Sequence, residues 1–286
     1  MPLQKSALPI VDEEISLFVN KTHKNASLTK ILTSETLNNE FLDNYFNWLK
    51  SSELVQYKGI DEFDQKSYIH GSVQGFDFFY AEFSQRRFRC FKGDFVYHAL
   101  SWRNNYSYIF LDDEDLDKND AVVISLPFSD SGSIHPRTIE ILKKCEELNI
   151  PVLIDCAYIN LSGELLVDLS YKCIHSVCFS LSKAFFSINR LRVGLRLKRK
   201  FNDDPVDVFN SLSMINNYGA FMGNELIKNF SPDFNYLKYS KKQKEVCVKN
   251  DLTPSKCVIF GLGGEKYKDY NRGGAFNRVC LSEVLV

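Results

Sequence analysis

The sequence predicts an α/β domain built on a mainly parallel sheet flanked by helices, followed by a smaller α+β part. Two observations lead there. Between residues 70 and 200, short apolar runs alternate with amphipathic helical stretches, the pattern of parallel strands joined by helical crossovers. After about residue 200 the alternation stops, and long helical stretches precede two short apolar runs. A chain of 286 residues is long enough to bury a core without staples, as one large domain or two modest ones.

The elements follow in order. Residues 1–65 form an N-terminal helical segment, in which Asn39 to Leu49 places apolar residues at helical spacing. Residues 66–200 form the large α/β domain. Gly71 to Gly75 reads as a turn that opens the apolar helical stretch FDFFYAEF. Arg87 to Tyr97 alternates like a strand. Ala121 to Leu126 (AVVISL), Val152 to Asp155 (VLID), Ser176 to Ser180 (SVCFS) and Leu191 to Leu197 (LRVGLRL) read as further strands. Pro136 to Leu148 is an amphipathic helix with proline early. Residues 201–286 form the small α+β domain. Asp203-Asp204-Pro205 opens a helical region running to Phe230, and a further helix follows with strands at Lys256 to Phe260 and Arg278 to Leu281. Gly261-Leu262-Gly263-Gly264 lacks the helix and lysine of a phosphate loop and reads as a turn.

Composition removes several classes. A net charge of -1 gives no global field for nucleic acid or a membrane surface. No apolar run is long enough to span a bilayer. None of the eight cysteines forms a Cys-x-x-Cys pair, and the five histidines lack metal spacing, so no metal site is expected. Several cysteines sit in strand-like apolar runs, and the N-terminus lacks a signal pattern; reduced thiols in the cytoplasm are the expectation.

Ligands of open α/β sheets bind at the carboxyl ends of the strands. Asp155 ends one strand, Ser180 and Lys183 follow another, and Ser129 to Gly132 follows a third. Ser72 starts a helix, where main-chain N–H groups favour an anion. A lysine that is desolvated or set near cations becomes nucleophilic enough to form imines, and Arg190 and Arg192 lie close by in sequence. Lysine, aspartate, serine and arginine together meet the needs of pyridoxal phosphate: an imine lysine, a ring-nitrogen partner and a phosphate cup.

The segment Ser180-Leu181-Ser182-Lys183 followed by Arg192-Val193-Gly194 resembles the lysine signature of fold-type I pyridoxal-phosphate-dependent aminotransferases. Asp155-Cys156-Ala157-Tyr158 resembles the family's acidic strand end. Gly71-Ser72-Val73-Gln74 resembles its phosphate-binding helix start, and Arg278-Val279-Cys280-Leu281 its late strand. The resemblance spans roughly residues 55 to 286.

It implies that Lys183 forms the imine and shuttles a proton, Asp155 pairs with the ring nitrogen, and Tyr158 bonds the ring hydroxyl. It further implies that Ser72, Val73, Ser180 and Arg192 hold the phosphate end. Arg278 would take the substrate carboxylate. Tyr97 or His98 would stack on the ring. Asn217, Tyr218 and Tyr57 would contribute to a partner subunit's site in a homodimer.

Three departures stand out. Where the family has Asn-Pro-Thr-Gly, this chain has Ser129-Asp130-Ser131-Gly132, so Ser129 or Asp130 replaces the asparagine at the ring hydroxyl. The gap from Lys183 to Arg192 is one residue longer than the family spacing, which leaves Arg190 as an alternative phosphate ligand. The chain is also short for the family, which implies a trimmed N-terminal arm and small domain. The expected activity is transamination between an amino acid and a 2-oxo acid. A lyase or decarboxylase would need the same residues, and a non-catalytic binding protein is the third reading.

Overall fold

The computed structural model describes residues 3–185, 190–201 and 203–286. Helix α1 (Glu13–Asn25) starts where the Asp12 carboxylate accepts from Ile15 N at 2.9 Å, with Glu13 and Glu14 in its first turn. Short α2 (Leu28–Leu32) leads into α3 (Leu37–Lys50), which buries Phe41, Tyr45, Trp48 and Leu49 on one face. Strands β1 (Val55–Lys58) and β2 (Gln65–Ile69) precede α4 (Ser72–Glu82). Then come β3 (Arg87–Arg89), α5 (Tyr97–Trp102), β4 (Asp120–Ser125), α6 (Thr138–Glu147), β5 (Val152–Cys156), β6 (Leu165–Asp168), β7 (Ile174–Ser180) and β8 (Gly194–Lys198). The chain continues through α7 (Pro205–Ser211), α8 (Asn217–Asn229), α9 (Phe234–Asn250), β9 (Leu252–Pro254), β10 (Phe260–Gly263), β11 (Asn277–Cys280) and α10 (Ser282–Leu285).

The six-stranded central sheet has the order β2-β8-β7-β5-β4-β3. Strands β3, β4, β5 and β7 run parallel, while β8 runs antiparallel to both β7 and β2. Alternate residues along each strand face opposite sides. Val122, Ile124, Val152, Ile154, Val177 and Phe179 join one core with α3, α6 and α8. Ala121, Val123, Leu153 and Cys178 face the aromatic core of α4 and α5 on the other side. Both faces are covered, which is why these strands read as continuous apolar runs. A smaller core around Tyr239, Val258, Phe260, Val279 and Leu281 supports the antiparallel sheet β9-β10-β11.

Several elements differ from the sequence reading, β1 within the segment read as helical among them. The strand expected over Arg87 to Tyr97 ends at Arg89, because the chain turns at Gly93 (φ +84°) and Asp94 N donates to Phe91 O. Tyr97 therefore opens a helix. The strand expected at Lys256 to Phe260 lies at Phe260–Gly263, and the glycine run read as a turn is its body. The reason is close packing: a Cβ on Gly263 would meet the Tyr267 ring at 2.2 Å. The helix expected after a turn at residues 71–75 begins at Ser72.

Candidate active site

The carboxyl ends of β4, β5 and β7 and the N-terminus of α4 meet at one place. Ser125 on β4 is in register with Asp155 on β5. Asp155 is buried; its Oδ1 accepts from Ala157 N at 3.0 Å, and its side chain is hydrogen-bonded to Ser72 at the start of α4. Burial, with the charge of nearby Asp94 added, pushes its pKa up to about 8. Asp94 is itself pushed up to about 6 by burial, although Ser125 Oγ and Phe95 N donate to it.

Lys183 follows β7 in a turn closed by Phe185 N donating to Leu181 O at 2.8 Å. Its Nζ donates to Ala7 O at 2.6 Å and stands 5.9 Å from the centre of the Tyr158 ring. Burial lowers its pKa, and the charges of Arg278 and Arg192 lower it further. Tyr158 is buried against Phe260, and burial raises its hydroxyl to about 12.

At the other end, Gly71 precedes α4 at φ +75°, a conformation that favours glycine. A Cβ there would lie 2.6 Å from Arg192 Nη2, so the Arg192 guanidinium packs directly over the helix start. Gly194 completes the close approach, since a Cβ on it would meet Phe179 O at 2.5 Å and Gly71 Cα at 3.1 Å. Ser180 Oγ accepts from Ser182 N at 3.3 Å, and the buried Ser182 Oγ has no hydrogen-bond partner among the described residues. Arg190, by contrast, is exposed. Val73 is half-buried and packs on the aromatic core.

A cavity of about 520 Å³ opens beside these groups, with Asp94, Phe95, Tyr158, Lys183, Arg272 and Arg278 in its wall. Asp155 lies behind that wall, close enough for Asp94 and Lys183 to shift its pKa. Arg278 is fully buried, stands 4.2 Å from the centre of the Phe260 ring and donates to the Ser129 carbonyl. Ser129 thus accepts from arginines, while Asp130 Oδ2 accepts from Phe276 N at 3.0 Å.

His98 is elsewhere. Its ring is fully buried among Phe76, Tyr80 and Trp102, with Nδ1 2.6 Å from the Tyr80 hydroxyl, and burial pushes its pKa down to about 3. Tyr97 points its hydroxyl at Asp77 (2.7 Å), and its ring stacks on Phe95. Phe95 is the aromatic of this stretch that reaches the cavity. Tyr57 packs edge-on to Phe179 inside its own core, Asn217 holds the carbonyls of Ile31, Leu32 and Ser34, and the Tyr218 hydroxyl meets His23 Nδ1 at 2.5 Å. All three therefore have contacts within the chain.

Sequence reasoning missed Asp94, Phe95, Arg272 and the N-terminal stretch Lys5–Ala7, all in the cavity wall. Asp94 and Phe95 lie inside the run whose alternation predicts a strand, which hides their place just ahead of α5. Nothing in the local sequence marks residues 5–7. Their place comes from the pairing of Gln4 with Cys280 on β11. Among the described residues no cluster of histidine, cysteine, aspartate or glutamate gathers for a metal ion, and no helix is long and apolar enough to cross a membrane.

No family model and no curated protein matches the chain. Solved structures do. The histidinol-phosphate aminotransferase of Clostridium acetobutylicum is 17% identical over 90% of this chain and 80% of its own, with a TM-score of 0.59. The aromatic aminotransferase of Pyrococcus horikoshii OT3 is 14% identical over 98% and 91%, with a TM-score of 0.68. MppP, in a structure soaked with its product 2-ketoarginine, is 13% identical over 99% and 95%, with a TM-score of 0.71. The chain has the fold of fold-type I pyridoxal-phosphate-dependent aminotransferases. It also spans most of the length of these structures.

Proposed function

We propose that this chain is a pyridoxal-phosphate-dependent aminotransferase that moves an amino group between an amino acid and a 2-oxo acid. The observation that carries this reading is the convergence of four groups in one cradle: Asp155, Lys183, the Gly71–Ser72 helix start and Arg192. Their chemistry fits the cofactor. Gly71 leaves room at a helix N-terminus that Arg192 also faces, a donor set suited to a phosphate. The unpartnered Ser182 hydroxyl is a further donor there.

When bound, the cofactor supplies an electron sink for the bonds of the substrate's α-carbon. The chain's residues do the rest. Lys183, its pKa lowered by burial, would supply the amine that holds the cofactor and would move a proton at Nζ. Asp155 would pair with the ring nitrogen, whose positive charge would offset the cost of the buried negative charge that burial now disfavours. Tyr158 would donate to the ring hydroxyl, while Ser129 is engaged by Arg272 and Arg278. Ser72, Val73, Ser180 and Arg192 would hold the phosphate end. Phe95, backed by Tyr97 and lining the cavity, would cover the ring face, a role that His98 in its sealed core does not suit. Arg278 takes the substrate carboxylate.

A homodimer in the cytoplasm belongs to the same reading. Exposed Leu28 and Leu32 on α2 and Leu212 and Met214 beside the start of α8 support a self-contact, and eight free cysteines suit a reducing compartment. The test is a half-reaction: the protein is loaded with pyridoxal phosphate and mixed with single amino acids. Oxo acid formed in equal amount with aminated cofactor supports the proposal. An eliminated or decarboxylated product with the cofactor unchanged contradicts it in favour of a lyase.

A further inference from the structure

The cavity holds a cation that the cofactor cradle does not use. Arg272 lies in the loop before β11, six residues ahead of Arg278. Its Nη1 donates to Ser129 Oγ (3.2 Å) and Ser129 O (3.4 Å), and its Nη2 to Asp94 O (3.3 Å). Arg278 Nη1 donates to the same Ser129 carbonyl. Two guanidinium groups thus converge on one neutral oxygen, and the charge of Arg272 helps burial to lower the pKa of Arg278.

Like charges at this separation repel, and a neutral carbonyl does little to offset them. Neither arginine has a carboxylate within ion-pair distance among the described residues. The nearest candidates are engaged elsewhere: Asp94 accepts from Ser125 and Phe95, and Asp130 from Phe276. The buried Nε of Arg278 has no hydrogen-bond partner among the described residues. The one acid in the cavity lining is Asp94, whose carboxylate is taken by Ser125 and Phe95; the rest of that lining includes the apolar Phe95, Val96, Ala99 and Phe110.

The arrangement is also braced. Asn271 Oδ1 accepts from Gly273 N at 2.7 Å, and Gly93 and Gly274 press against the Asp130 carboxylate so closely that a Cβ on either would clash with it. Arg272 is therefore held on the cavity wall by a packed loop.

We propose that Arg272 is a specificity-determining residue, and that the substrate carries a second anionic group, carboxylate or phosphate, on its side chain. Arg278 takes the carboxylate next to the reacting carbon and Arg272 the side-chain acid, each through a guanidinium fork suited to paired oxygens. The substrate class rests on the aminotransferase reading above.

The experiment uses non-reacting probes on the cofactor-loaded chain, with binding followed by calorimetry. Succinate and 3-phosphonopropionate carry two anionic groups, and butyrate carries one. The expected result is that at least one dianion binds roughly tenfold or more tighter than butyrate, as a charge-assisted contact gives. Arg272→Gln should erase that preference, and Arg272→Lys should keep part of it, which a merely structural role would not produce. The better of the two dianions names the side-chain group. Equal binding of all three probes, or a preference unchanged in Arg272→Gln, would overturn the inference. The visible band of the lysine-bound cofactor, recorded on the same samples, separates the two claims. A band without dianion preference fails this inference alone; a preference without a band fails the cofactor reading and keeps the anion site.

Discussion

The floor of the site and its wall respond to burial in opposite directions. On the floor, burial holds Asp155 at the end of β5 above the usual carboxylate range, as it does Asp94 at the cavity edge close by. On the wall, burial holds Lys183 and Arg278 below their usual values. One physical cause, loss of solvent around a charge, thus favours the neutral form on both sides. The partners differ as well. The acids are tied to main-chain N–H and serine groups of the sheet and of α4, whereas the cations rest on the carbonyls of Ala7, Lys5 and Ser129. A ligand with a cationic ring nitrogen and anionic groups would relieve both sides at once, and this complementarity is what recommends the proposed cofactor and substrate.

Changes on the floor should break activity most. Asp155→Asn keeps the shape of the floor but removes the charge that faces the ring nitrogen. Turnover is expected to fall roughly 100- to 1,000-fold, the range for losing one preorganised electrostatic group. Steady-state rates of oxo-acid formation check this, and an unchanged rate would remove Asp155 from the site.

The aromatic residues behind the floor separate packing from binding. His98→Ala empties a sealed aromatic core and should cost about 3 kcal/mol, the scale of large-to-small core changes. Phe95→Ala should cost less stability yet weaken cofactor binding. Denaturant melts with cofactor titration test the pair, and the reverse pattern would return the ring-stacking role to His98.

Gly71→Ala sharpens the contrast at the phosphate end. The added methyl requires φ near +75° and presses on Arg192. A loss of about 1–3 kcal/mol is expected from the strained backbone, with weaker cofactor binding. Chemical denaturation and a cofactor titration measure the two effects separately.

The floor also imposes a pH dependence. A carboxyl with a folded pKa near 8 binds its proton in the folded chain where the unfolded chain has lost it. Its stability contribution is complete below the unfolded value of about 4 and is lost as the pH rises to 8. Cofactor-free wild type should therefore lose more stability between pH 5 and pH 9 than Asp155→Asn. Equal losses in melting experiments would show that Asp155 is not held neutral.

Much of this site was legible because its groups fall at strand ends and helix starts, where short-range pattern carries position. Asp155 closes an apolar run, Lys183 follows another, and Gly71–Ser72 opens a helix. Strand direction was less legible: β8 reads like its parallel neighbours but runs antiparallel, because the burial that makes a strand apolar does not encode its direction. Arg272 and the Lys5–Ala7 stretch were invisible, since long-range pairing of the N-terminus with β11 and the packing around Asp130 bring them in. The glycine run at 261–264 misled because glycine in a strand marks close packing as readily as it marks a turn.

The central claim is that Lys183 is the amine that carries the cofactor. The direct measurement is the visible absorbance of purified wild type and Lys183→Ala after addition of pyridoxal phosphate and removal of the excess. The account predicts a protein-bound band in wild type, stable to removal of free cofactor and absent from the variant. No band in wild type, or the same band in both proteins, would contradict it.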